Sequence, residues 1–275
     1  MANTIKIHTP DDFIGMRKAG KLAAELLDYI TEFVVPGVTT EKLDELCYAM
    51  IIKNKAIPAP LNYQPHKGIL PYPKSICTSV NHVVCHGIPG AKKLNEGDIL
   101  NIDVTVILDG YYGDTSRMYL VGKKIPIKAQ RLVDTTYDVM MRGIEQVKPG
   151  VNINEIGKVI QHYAEKEGFS VVRDFCGHGI GKVFHAAPSV LHYYDPHEKI
   201  ILQEGMFFTI EPMINAGNYK TMALKRTEEL PYNDWVAVTQ DKSLSAQFEH
   251  TLAVTKDGYE IFTLSPKGWT KPPYL

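Results

Sequence analysis

Apolar positions recur at helical spacing in four stretches of the chain. Met16, Leu22, Leu26, Leu27 and Ile30 mark the first, which opens near Asp11-Asp12 behind Pro10 and ends before Pro36-Gly37. Acidic residues at the start and Pro-Gly past the end are the usual boundary signals of a helix. A second helix is predicted from Thr39 or Thr40 to about Asn54, and a third over about 128–147. A fourth follows Pro149-Gly150, with Ile156, Val159 and Ile160 on one face. The order helix, Pro-Gly, helix thus occurs twice, and Leu43, Leu46 and Cys47 match Ile156, Val159 and Ile160 at an offset of 113 residues. A pseudo-duplicated fold would produce this.

Between and after these units lie apolar, β-branched runs of strand length over 75–80, 99–108, 111–121, 206–214 and 246–254. The chain therefore reads as α+β, with helices covering a largely antiparallel sheet. Residues 62–73 are turn-rich and 218–234 polar, and both read as surface loops. No low-complexity linker divides the sequence, so one catalytic domain over 1–275 is expected, with a short N-terminal extension over 1–10.

Composition adds mainly exclusions. With 275 residues, 44% of them hydrophobic, and a formal charge of −1, the chain has ample core material. It carries no electrostatic footprint for nucleic acid. No stretch approaches the ~20 apolar residues of a membrane span, and no secretory leader pattern is visible. Cys47, Cys77, Cys85 and Cys176 form no C-x-x-C pair, which favours reduced thiols and the cytoplasm.

The chemistry begins at Asp103 and Asp114. In the 101–107 run, Ile102, Val104 and Val106 share one face, and Asp103 and Thr105 the other. Asp109-Gly110 is a strong hairpin turn. With Leu108 opposite Tyr111, Thr105 falls opposite Asp114, and the two aspartates become diagonal neighbours roughly 7 Å apart. His178 stands among glycines in Cys-Gly-His-Gly-Ile-Gly, while Glu211 and Glu249 sit inside apolar, strand-like runs. Taken singly, each has a plain structural account: a turn cap, a loop histidine, an exposed strand end. Together, one imidazole and four carboxylates in such surroundings call for cations.

These residues carry a specific resemblance. The segments Pro73-Lys74-Ser75-Ile76-Cys77, Val83-Val84-Cys85-His86-Gly87-Ile88-Pro89, Asn101-Ile102-Asp103-Val104 and Gly113-Asp114-Thr115-Ser116 resemble type I methionine aminopeptidases. So do Cys176-Gly177-His178-Gly179-Ile180-Gly181, Phe208-Thr209-Ile210-Glu211-Pro212 and Gln247-Phe248-Glu249-His250-Thr251, in the same order and at similar spacing. The resemblance runs from about Ile14 to about Leu264. It implies the pita-bread fold, two αβ halves related by pseudo-two-fold symmetry, and removal of the initiator methionine ahead of a small second residue.

Carried over residue by residue, it implies that Asp103, Asp114, His178, Glu211 and Glu249 ligate two divalent ions, with Asp114 and Glu249 bridging. Asp103 would chelate one ion, and His178 and Glu211 would complete the other. His86 and His185 match the substrate-side histidines, with Glu211 as general base. Tyr72, Cys77, Phe184 and Trp235 match the walls of the methionine pocket, and Asn81, Val83 and Ser245 a structural monovalent-cation site. The oxygen-rich donor set favours Mn, Fe or Co over structural zinc. Substrates would be nascent chains near the ribosome, met by a monomer.

Two segments depart from the common bacterial pattern: 62–71 and 218–234 are longer, and both border the expected substrate entrance. Only 37 residues, 212–248, separate Glu211 from Glu249, which leaves no room for a type II insertion. No Cys/His-rich N-terminal extension of the zinc-finger version is visible. Aminopeptidase P or prolidase is the near rival, though these usually carry a large N-terminal domain. A catalytically dead pita-bread module that binds proteins or RNA would typically have lost metal ligands, and all five are present here. An Fe(II) oxygenase triad would leave three carboxylates unexplained.

Overall fold

The computed structural model describes residues 4–274. Helix α1, Pro10–Ile30, opens on a capping box: the Thr9 hydroxyl accepts from Asp12 N–H, and the Asp12 carboxylate accepts from Thr9 N–H. Helix α2, Thr40–Lys53, is capped by Thr39, whose hydroxyl accepts from Lys42 N–H. Helices α3, Ile127–Ile144, and α4, Asn154–Lys166, form the second pair. All four predicted helices are present; α3 stops three residues short of the predicted end, in a turn before Pro149-Gly150.

Each helix pair covers its own core. Leu22, Leu26, Leu43 and Ile51 of α1 and α2 pack with Leu100, Ile102, Val104 and Val106. Leu132, Val139, Ile156 and Ile160 of α3 and α4 pack with Phe208, Ile210, Phe248 and Leu252. The repeated Pro-Gly pattern therefore corresponds to two separately cored helix-on-sheet halves, consistent with the predicted α+β class and its duplicated halves.

In the first half, Ile99–Leu108 and Tyr111–Leu120 form the predicted hairpin, flanked by Ile57–Pro58 and Cys77–Val80. Its register is as predicted, with Leu108 opposite Tyr111 and Thr105 opposite Asp114. In the second half, the long strands expected over 206–214 and 246–254 are each broken in two: Phe207–Ile210 and Met213–Asn215, Ser245–Gln247 and His250–Val254. Pro212 has no N–H to donate, which interrupts the ladder there. The register nevertheless continues through the break, from Ile210 opposite His250 to Met213 opposite Gln247. Glu211 and Glu249 therefore stand opposite each other inside it.

One isolated bridge joins the halves at that level. Ser116 and Glu249 exchange backbone hydrogen bonds of 3.4 and 3.2 Å, and the Thr115 hydroxyl donates to the Glu249 carbonyl at 2.7 Å. The Thr251 hydroxyl donates to the Asp114 carbonyl at 2.7 Å. The 218–234 segment, expected to be a loop, contains the strand Thr221–Ala223, which pairs with Ala237–Thr239 and through it with Val83–Cys85.

Asp114 owes its place partly to the glycine before it. A Cβ on Gly113 would lie 2.2 Å from the Ala19 carbonyl oxygen of α1, so helix and hairpin approach as only glycine permits. Gly113→Ala is expected to cost about 1–3 kcal/mol in urea unfolding, the usual penalty of overpacking. Gly258→Ala, whose added methyl meets nothing within 4 Å, should stay within about 0.5 kcal/mol of the parent. Equal midpoints for the two variants would refute the close-contact argument.

Candidate active site

The two hairpin aspartates and the two glutamates of the broken strand pair line one cavity of about 410 Å³. His178, on Gly177–Gly179, enters it from the neighbouring strand of the same sheet as Phe207–Ile210. Its Nε2 lies 3.6 Å from Asp114 Oδ2 and 3.6 Å from Glu211 Oε1. One donor atom each from Asp114, His178 and Glu249 fall within 4.8 Å of one another. All five residues singled out in the sequence as metal-type are thus brought together.

Their electrostatics oppose this company. Burial raises the Asp103 carboxyl to about 7. Burial, and then the charge of Asp103, pushes Asp114 well above the usual carboxylate range. Glu211 and Glu249 are pushed well above theirs by burial first and by Asp114 next. Local donors offset little of this: Thr105 Oγ1 donates to Asp114 at 2.7 Å, Thr209 Oγ1 to Glu211 at 2.8 Å and Gln247 Nε2 to Glu211 at 3.3 Å. Four ionised carboxylates here require compensating cations.

The imidazole is prepared to be a ligand. Burial lowers His178 to about 4, so the ring is neutral at ordinary pH. His178 Nδ1 is 3.2 Å from the Gly179 carbonyl, which can only accept, so the proton sits on Nδ1 and Nε2 offers its lone pair to the cluster. The Glu211 backbone N–H, freed from the ladder, donates to buried His192 Nε2 at 3.0 Å. Burial holds His192 at about 3, and neutral. No sequence signal distinguished that residue.

Around the acids stand the residues expected to meet substrate. His86, at φ 56° and held neutral by burial, sits edge-on to Phe175 at 5.6 Å and to Trp235 at 6.2 Å. His185 is exposed at the cavity mouth, stacked on Phe184 at 4.0 Å and beside His178 at 4.3 Å. Burial of part of the ring, then His178 and His86, hold it below its ordinary value. Cys77 pairs across the sheet with Asp103, and the buried Tyr72 hydroxyl donates to the Ile76 and Gly87 carbonyls. Tyr72, Cys77, Phe184 and Trp235 all line the cavity.

Trp235 is fixed by both long segments at once: it lies in the turn closing 218–234, and its Nε1 donates to the Leu70 carbonyl at 2.8 Å. Sequence reasoning missed other residues lining the cavity, notably Tyr63, Phe175, Met213 and Gln247. Gln247, Phe175 and Met213 lie within three residues of the acids and histidine already singled out, and Tyr63 within the long 62–71 segment, so proximity in sequence was an available signal. Asn81 and Ser245 meet away from this cavity, with Ser245 N–H donating to the Asn81 carbonyl at 2.8 Å, while Val83 opens the neighbouring strand. The buried Ser245 hydroxyl has no hydrogen-bond partner among the described residues.

Comparison with known proteins agrees with this geometry. Residues 14–256 match the model of metallopeptidase family M24. A methionine aminopeptidase of Rickettsia prowazekii is 62% identical over 271 residues, 98% of this chain and all of that one. One of Escherichia coli is 50% identical over 94% of each chain. The crystal structure of the Rickettsia prowazekii methionine aminopeptidase superposes with a TM-score of 0.89 over 95% of this chain and all of that one. With its sequence matched nearly end to end and its acids gathered where a metallopeptidase needs them, the chain belongs to metallopeptidase family M24.

Proposed function

We infer that the protein is a metal-dependent aminopeptidase that removes the N-terminal methionine of polypeptides whose second residue is small. The observation that carries this reading is the acid cluster at the base of a cavity walled by Tyr72, Cys77, Phe184 and Trp235, within a chain matching methionine aminopeptidases over nearly its full length. An apolar, polarisable wall suits a thioether side chain. The reading takes residues 1–275 as one catalytic unit, a cytoplasmic monomer acting on nascent chains near the ribosome.

Asp103, Asp114, His178, Glu211 and Glu249 would hold two divalent ions, Mn, Fe or Co by their oxygen-rich donors. Bound there, the ions supply an acidified water, Lewis-acid support for the scissile carbonyl and a docking point for the free α-amine. Glu211, its oxygens oriented by Thr209 and Gln247, takes the proton of the attacking water. His185 donates a hydrogen bond to the carbonyl oxygen as it gains charge. His86 contacts the scissile amide nitrogen and assists its departure. Asn81, Val83 and Ser245 form the structural monovalent-cation site, a role supported by the buried Ser245 hydroxyl, which has no hydrogen-bond partner among the described residues.

Three measurements test this. With Mn(II) or Co(II) added, Met-Ala-Ser should be cleaved and X-Pro peptides should not; cleavage of the X-Pro set alone overturns the reading. Glu211→Gln should keep both ions and lose roughly 10²–10⁴-fold in kcat, whereas near-normal turnover with both ions bound would remove Glu211 from the mechanism.

The third concerns stability. Without cations, Asp103 titrates at about 7 when folded, against an ordinary value of 3.8. The folded state then binds more protons than the unfolded one across that window, so stability should fall as pH rises from about 4 to about 7. Mn(II) should restore Tm at pH 7.5, and Asp114→Asn should raise the cation-free Tm there while abolishing the Mn(II) response. A cation-free Tm independent of pH between 4 and 7 would contradict the account of the cluster.

A further inference from the structure

Tyr63 makes a contact that the mechanism above does not use. Its hydroxyl lies 2.9 Å from Nδ1 of His185, the one side-chain hydrogen bond Tyr63 makes among the described residues. Although it lies in the long 62–71 segment, its backbone is pinned on both sides. Tyr63 N–H donates to the Pro60 carbonyl at 2.9 Å, and the Tyr63 carbonyl accepts from Tyr72 N–H at 2.9 Å. Tyr72 is itself buried. The phenol ring meets Phe184 at 5.1 Å and His185 at 5.2 Å, and Phe184 stacks on His185 at 4.0 Å. The imidazole is thus gripped by two aromatic rings and one polar contact.

A neutral imidazole carries its proton on one nitrogen only, and the partner of the other nitrogen decides which. A phenol donates far better than it accepts, and an imidazole lone pair is the better acceptor of the two. The favoured arrangement is therefore Oη–H···Nδ1, which leaves the proton on Nε2. Burial raises the Tyr63 phenol above its ordinary value and keeps that hydrogen in place. The opposite tautomer would present an Nε2 lone pair to substrate, and a lone pair repels a carbonyl oxygen that is gaining charge.

We propose that Tyr63 is a positioning residue that fixes His185 as its Nε2–H tautomer, so that His185 presents a donor to the scissile carbonyl. The proposal rests on the role given to His185 above. It makes the lengthened 62–71 segment part of the reaction machinery through a side chain that touches the histidine rather than the reacting atoms.

The test is 15N NMR of histidine-labelled, Zn(II)-loaded protein, together with steady-state kinetics on Met-Ala-Ser. His185 should show a bare Nδ1 and a protonated Nε2. Tyr63→Phe keeps the ring contacts and removes only the hydroxyl. It should give a mixture of His185 tautomers and lower kcat roughly 10–100-fold, the usual cost of losing a partner that orients a histidine, with KM little changed. In a His185→Ala background the same substitution should have no further effect on kcat. A protonated Nδ1 in the parent protein, or unchanged tautomer and kcat in Tyr63→Phe, overturns the proposal alone if His185→Ala is still inactive. Near-normal turnover in His185→Ala overturns the role of His185, and the proposal with it.

Discussion

Four carboxylates withdrawn from water into one cavity are the constraint on which the rest of the structure depends. Left to themselves they keep protons that ordinary carboxyls surrender, because burial and mutual repulsion act together on each. A scaffold that gathers them spends folding free energy on a charge problem that a cation solves. Apolar burial offsets that cost, with α1 and α2 on one body of buried residues and α3 and α4 on another that also takes in Ile99 and Met118 of the hairpin.

The geometry of the gathering is economical. Each half contributes two acids from one antiparallel pair: Asp103 and Asp114 from the hairpin, Glu211 and Glu249 from the interrupted strands. The Ser116–Glu249 bridge then sets the halves at one level, and hydroxyls of Thr115 and Thr251 reinforce it from both directions. The interruption at Pro212 has its own use. Out of the ladder, the Glu211 N–H donates to neutral, buried His192, while Thr209 and Gln247 hold the carboxylate that the proposed mechanism uses as its base.

How much of this the sequence disclosed follows from the range of each signal. The hairpin register was legible to the residue, because Asp109-Gly110 fixes the turn and a two-residue alternation carries the register outward from it. The helices were legible because an amphipathic face and a Pro-Gly stop are local features. The breaks at Glu211 and Glu249 were not, since an apolar β-branched run looks the same whether its ladder is continuous or interrupted. Nor was the strand Thr221–Ala223, whose pairing with Ala237–Thr239 depends on a partner on the far side of a loop. The five metal-type residues were recognisable as a set through motifs; Tyr63, His192 and Gln247 act through contacts that only folding brings about.

One physical effect, loss of water, runs through the whole cavity with opposite results for its two kinds of side chain. It raises the carboxyls toward neutrality and holds His178, His86 and His192 neutral by lowering them. For a carboxyl this is a frustration relieved when a cation arrives. For an imidazole it is a preparation, because only the neutral ring offers a lone pair to a metal or chooses between tautomers. The choice is then made by neighbours rather than by pH: the Gly179 carbonyl claims the Nδ1 proton of His178 and frees Nε2 as a ligand. At His185 the Tyr63 hydroxyl meets the corresponding nitrogen, and a hydrogen-bond donor in that place gives the opposite assignment. Two histidines whose rings lie 4.3 Å apart can therefore present a lone pair and an N–H to the same cavity, one suited to a cation and the other to a developing oxyanion.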